Sequence, residues 1–92
     1  MGVINKTFAL TANGSTDKHN VPVSSEYMFY GVGGFGGGTL QLEASPDNGI
    51  NWFTVETLTK PGRLIRYLVG GEKIRITLSG ATGATITTGL RQ

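Results

Sequence analysis

The sequence predicts an all-β protein: a single compact antiparallel β-sandwich of about seven strands, Ig-like or jelly-roll-like, spanning residues 1–92 as one domain. Three observations carry that prediction. Apolar residues alternate with polar ones at a period of two, which gathers them on one face of an extended strand. No convincing stretch follows the helical period. Turn signals recur every 8–12 residues or so, the spacing of short strands in a sandwich or small barrel.

The strands follow in order. Thr7 to Thr11 is a short first candidate, closed by Asn13-Gly14-Ser15. Tyr27 to Tyr30 comes next and runs into the glycine tract 31–38, Gly-Val-Gly-Gly-Phe-Gly-Gly-Gly. A glycine-rich loop binds phosphate when it leads from a strand into a helix N-terminus. Here strand follows and no Gly-Lys-Ser/Thr is present, so the tract reads as a flexible bend between sheets, with Phe35 anchored in the core or on a neighbour. Thr39 to Ala44 alternates cleanly, with Leu40, Leu42 and Ala44 turned inward. Ile50 to Leu58 follows, then Pro61-Gly62. Leu64 to Val69 is apolar on both faces apart from Arg66, which suits either a central strand packed on both sides or a strand whose outer face meets another subunit. Lys73 to Leu78 puts Ile74, Ile76 and Leu78 on one face, and Ala84 to Leu90 is the last strand.

Between the third and fourth strands, Asn48-Gly49 is a strong two-residue hairpin signal, because both central positions of a type I′ turn need positive φ. That loop sets Asp47 opposite Ile50, Ser45 opposite Trp52, Ala44 opposite Phe53 and Leu42 opposite Val55, with Phe53 and Val55 joining the core face. Asp47 is placed to accept backbone N–H groups within the turn. Trp52 falls on the other parity and is expected beneath the turn or against an edge. Ser45, Asp47, Asn48, Gly49 and Trp52 fit the spacing S-x-D-x-G-x-[TN]-W, which resembles the Asp-box of sialidases and other glycan-handling proteins. In that family the motif is a structural staple remote from the catalytic groups.

Composition narrows function further. Charged residues are 15% of the chain against a typical ~25%, and fifteen glycines are about twice average usage. A small domain with so few charges presents much neutral Thr, Ser, Gly and Asn surface, suited to packing against protein. There is no cysteine to staple the core. Stability is therefore expected from a tidy β core and from association, most simply a homo-oligomer with a trimer favoured. Met1 is not followed by a basic stretch leading into an apolar run, so no signal peptide is expected, and no apolar run is long enough to span a membrane. A soluble protein made in a cytoplasm is the expectation.

A wider pattern covers about two-thirds of the chain. "GFGGGTLQLEASPDNGINWFTVETL", a basic linker, and "GEKIRITLSGATGATITTGLR" resemble small tailed-bacteriophage virion proteins, with Gly37 to Leu42, Ser45 to Trp52 and Ile74 to Ile86 carrying the likeness. Asn51 stands where that family more often has Thr, and Arg75 and Ile76 sit near its aromatic-plus-arginine pair without reproducing it. The resemblance implies a β-sandwich piece of a phage particle in a head, neck or tail. It favours a capsid decoration (cement) protein bound to the major capsid protein or other virion proteins, assembled in the host cytoplasm. A head–tail or tail accessory protein and a small carbohydrate-binding module are the alternatives, the latter stacking sugars on Trp52, Tyr27, Phe35 or Tyr67.

No enzyme and no cofactor are expected. His19, the single histidine, sits with Asp17 in a turn-like stretch and reads as a solvated loop residue. Glu43 and Glu56 could pair on one outer face of the hairpin, but nothing in the sequence desolvates them. Lys60, Arg63, Lys73 and Arg75 form a candidate basic docking patch for an acidic partner. Nucleic acid is disfavoured, since a net charge of +2 gives a weak field. Phe35, Leu64, Arg66, Tyr67 and Leu68 are the candidate interface.

Overall fold

The computed structural model describes residues 5–92, and they form two antiparallel sheets packed as a sandwich. The strands are β1 (Asn5–Leu10), β2 (Gly14–Ser15), β3 (His19–Asn20), β4 (Ser25–Gly34), β5 (Thr39–Ser45), β6 (Phe53–Leu58), β7 (Gly62–Leu68), β8 (Lys73–Ser79) and β9 (Thr85–Arg91). One sheet has the order β1-β9-β4-β7; the other has β2-β8-β5-β6, with β3 also on β8.

All seven expected strands form. The two additional ones, β2 and β3, lie in succession on β8 as halves of one interrupted strand. Thr16 spans part of the gap: its amide donates to the Ile76 carbonyl at 2.9 Å and its Oγ1 accepts from the Ile76 amide at 3.0 Å. With those halves counted together, eight strands pair first with last, second with seventh, third with sixth and fourth with fifth. That is the strand order of a jelly roll, which decides between the two expected architectures. Physically it is one long hairpin rolled up. Ala44 faces Phe53, Ser25 faces Leu68, His19 faces Ile74 and Asn5 faces Arg91, so every ladder nests around the single turn at 45–52.

The core follows from the alternation. Leu40 and Leu42 on β5, Ile74 and Ile76 on β8, Phe29 on β4 and Leu90 on β9 are fully buried between the sheets. Burying each stabilises the fold by roughly 1.5–3 kcal/mol relative to exposure. The buried Tyr27 ring keeps its hydroxyl bonded to the Val23 carbonyl at 2.6 Å, and among the described residues no buried side-chain polar atom lacks a partner.

Several expectations are corrected. The glycine tract is not a loose bend from residue 31, since β4 continues through Gly34. Gly33 has φ +102, and a Cβ there would lie 2.1 Å from the Thr85 carbonyl oxygen, so the strand passes β9 too closely for a side chain. Phe35 is buried in the core, not in an interface. The segment 64–69 is not a central strand: β7 is an edge, with Leu68 buried and Leu64 packed on the core. Phe53 does face Ala44, but it is 61% exposed and outside the core.

The β5–β6 register slips between Leu42 and Glu43, so Leu42 meets Glu56, not Val55. This β-bulge sends Glu43 and Glu56 to opposite faces and dissolves the expected carboxylate pair. Glu56 instead ion-pairs with Arg66 of β7, clasping one open side of the sandwich. On the other side His19 is in β3, half-buried with its ring 5.3 Å from Phe8 of β1, not in a solvated loop.

Candidate interaction surfaces

The Asp-box-like turn binds to itself. Asn48 (φ 62) and Gly49 (φ 91) take the expected positive φ, and the Ile50 amide reaches the Asp47 carbonyl at 3.4 Å. The buried Ser45 hydroxyl donates to Asp47 Oδ1 at 2.8 Å while accepting from the Gly49 amide at 2.8 Å. Asp47 Oδ1 also accepts the Asn51 amide at 2.8 Å, and Oδ2 accepts Asn51 Nδ2 at 2.6 Å. These donors, the Asn51 amide foremost and then its side chain and Ser45, lower the Asp47 pKa from 3.8 to about 2. Asn51 thus supplies both a backbone and a side-chain N–H to the one carboxylate. Lys18 Nζ caps the turn at the Asn48 carbonyl, 3.0 Å away.

The outer face of the β8-β5-β6 sheet continues this closed arrangement. Arg75 stacks on the Trp52 ring with its guanidinium carbon 4.2 Å from the centroid, and its Nε donates to Glu43 Oε1 at 2.9 Å. Thr77 also donates to Glu43 and meets Ser15 at 2.7 Å; Lys73 reaches Asn20 Oδ1 at 3.2 Å. Glu43, Lys73, Arg75 and Thr77 thus each have a partner on the same face. Trp52 is only half-exposed, beneath the turn and under Arg75.

The outer face of the β1-β9-β4-β7 sheet is different. Met28, Tyr30 and Val32 of β4 stand beside Arg63, Ile65 and Tyr67 of β7, and Ile65 (56%), Tyr67 (62%) and Val32 (49%) are well exposed. Tyr30 lies flat across Gly89, where a Cβ would be 2.6 Å from its hydroxyl, and reaches Thr7 Oγ1 at 3.2 Å. A shallow concavity of ≈ 410 Å³ lined by Met28, Tyr30, Val32, Gly62, Arg63 and Arg91 opens on this plane. Its charges are Arg63 and Arg91 against Glu26.

The residues singled out in the sequence are therefore distributed unevenly. Ser45, Asp47, Asn48, Gly49 and Trp52 come together at the turn. Of the candidate interface, only Tyr67 is exposed on a flat outer face; Phe35 and Leu68 are core, Leu64 packs on it, and Arg66 holds Glu56. The four basic residues do not make one patch: Lys73 and Arg75 lie on one outer face, Arg63 on the other, and Lys60 in the connection between sheets. Of the four aromatic residues named as a sugar platform, Tyr27 and Phe35 are buried and Trp52 is covered by Arg75.

Sequence reasoning missed Met28, Tyr30, Val32, Ile65 and Arg91. The available signal was that 27–30, like 64–69, is apolar at both parities; two such strands turn out to be neighbours, Met28 facing Ile65. Among the described residues no cluster of three metal-ligating side chains occurs. No protein-family model, curated protein or solved structure matches the chain.

Proposed function

We propose that this is a non-enzymatic structural protein of a tailed-phage particle, a decoration protein that lies on the outer shell and stabilises it. The observation that carries the reading is the contrast between the two outer faces. One pairs its charged groups within itself; the other presents an apolar plane with two arginines and Glu26. Such a plane suits docking on a protein surface that is apolar at its centre and acidic at its margin. Many copies on a symmetric shell then add modest contacts into firm attachment. The motif resemblance at 37–86 supplies the virion address, and the jelly-roll order is compatible with it, since viral shell proteins and sugar-binding lectins both use that architecture.

The test is sedimentation of the purified protein with tailed-phage capsids whose decoration sites are vacant. Saturable co-sedimentation, lost in Tyr67→Ala with Met28→Ala, is expected. If the protein ignores heads, necks and tails while a glycan titration shifts the Trp52 or Tyr67 signals, the sugar-binding reading replaces this one.

A further inference from the structure

The four exposed edges of the two sheets are not equally protected. On one sheet β2 and β3 are two residues each, too short to template another strand. Its other edge, β6, is twisted by the register slip opposite Leu42/Glu43. In the second sheet β1 carries Lys6 and Asn5 and points only small or polar residues, Thr7 and Ala9, outward. Short length, bulges and lysines are the devices by which natural sheets block edge-to-edge pairing. β7 is neither short nor bulged and has no lysine; its two charges are Arg63 on the outer face and Arg66, turned inward and held by Glu56. It pairs with β4 without a register shift over seven residues, from Gly62 to Leu68, and contains no proline.

We propose that β7 pairs antiparallel with β7 of a second copy of this chain, joining the two four-stranded sheets into one eight-stranded sheet about a two-fold axis through Ile65. The register is selected by physics. A two-fold axis normal to the sheet keeps each residue's face, so facing residues must have the same parity. Centring on Arg63 or Arg66 sets like charges directly opposite, which destabilises. Centring on Leu64 leaves Tyr67 against Pro61, and centring on Tyr67 leaves Arg63 beyond the paired strand.

Centring on Ile65 places Ile65 on Ile65 and Arg63 on Tyr67 of the other copy. Within one chain Glu26 already faces Tyr67, and Arg63 faces Tyr30. The outer face of the joined sheet then has a central apolar row, Met28-Ile65-Ile65-Met28. Each flanking row reads Glu26-Tyr67-Arg63-Tyr30, with the arginine contributed across the two-fold. A cation lies against an aromatic ring with a carboxylate on the ring's far side, in both rows at once. A partner of another sequence would have to match this pattern; the second copy does so by symmetry. On the inner side Arg66, held by Glu56, lays its stem along Leu64 of the other copy. The Ile65 carbonyl, which accepts from Arg66 Nη1 at 2.8 Å, keeps a second lone pair for the ladder.

The pairing goes beyond the decoration reading and does not depend on the virion address. A dimer that never binds particles sinks the address alone, and a monomer that decorates capsids sinks the pairing alone. Light scattering behind size exclusion, with sedimentation equilibrium, should report a species of twice the 9.7 kDa chain. Ile65→Lys sets two ammonium groups face to face and should raise the dissociation constant at least about a hundredfold, with the thermal melt read at a concentration where both proteins are monomeric staying close to wild type. Arg63→Glu should weaken pairing about tenfold, because the new carboxylate shares a row with Glu26 of the other copy, and Glu26→Arg in the same chain should restore it. A wild-type monomer at the highest soluble concentration overturns the proposal. So does a three-fold assembly, or a dimer indifferent to both Ile65→Lys and the charge exchange.

Discussion

The outer faces of the two sheets start from the same alternation of inward and outward residues and finish in opposite ways. On β5 and β8 the outward positions include Glu43, Arg75 and Thr77, joined by Ser15 and Trp52 into hydrogen bonds and a cation–π stack, and Lys73, which reaches Asn20. On β4 and β7 they are Glu26, Met28, Tyr30, Val32, Arg63, Ile65 and Tyr67; Arg63 reaches the Met28 sulfur at 3.9 Å, while Val32, Ile65 and Tyr67 stand largely exposed. A face that spends its polar groups on itself contributes to stability and has little left for a partner. A face that leaves apolar area wet gains nothing from it until something covers it. The lesson is a division of labour between fold and contact.

That division can be broken by substitution. Trp52→Ala should have the largest effect on stability, roughly 3 kcal/mol, because it removes a large ring from beneath the turn and strands Arg75. Chemical denaturation measures it, and capsid binding should persist. Ser45→Ala should come next at about 2 kcal/mol: the side chain is fully buried, and its loss leaves the Gly49 amide unpaired. An unchanged melt in either variant would mean the closed face is not what braces the hairpin.

Acid sharpens the same contrast. The Asp47 pKa is lowered in the folded state to about 2 from 3.8, so its contribution is complete above pH 3.8 and is lost as pH falls through about 2. Denaturation midpoints between those values should fall faster for the native protein than for Asp47→Asn, which carries no titrating group there. Parallel curves would show that the turn's hydrogen bonds do not hold the carboxylate ionised. The smallest stability effect belongs to the open face. Tyr67→Ser and Met28→Ser should each alter the free energy of unfolding of the monomer by no more than about 0.5 kcal/mol, while abolishing association. A loss as large as that of Ser45→Ala would erase the distinction between the faces.

Much of this fold was legible because a period of two reports which residues share a face. It placed all seven long strands, and Asn48-Gly49 announced its own turn. Parity does not report where a strand sits in its sheet, so the two-faced segment 64–69 could not be recognised as an edge. Nor does it foresee a bulge. One inserted residue after Thr54 moved Glu56 to the other side of its sheet, and with it the expected neighbour of Glu43. Strands of two residues have no period to read, so β2 and β3 went unseen, and the four basic residues could not be assigned to faces before the roll was known. Of the candidate surfaces, the closed turn was written in local spacing. The open plane depends on which strand lies beside which.

The nesting of every ladder around residues 45–52 also bears on how the chain closes and opens. Partners are separated by a few residues at Ala44 and Phe53 and by almost the whole chain at Asn5 and Arg91, so each outer ladder must wait for the one inside it to shorten the loop it closes. We therefore expect amide hydrogen exchange to slow in sequence from β1 inward to β5, the rim fraying while the apex stays shut. Equal protection of β1 and β5 amides would show instead that the roll opens all at once.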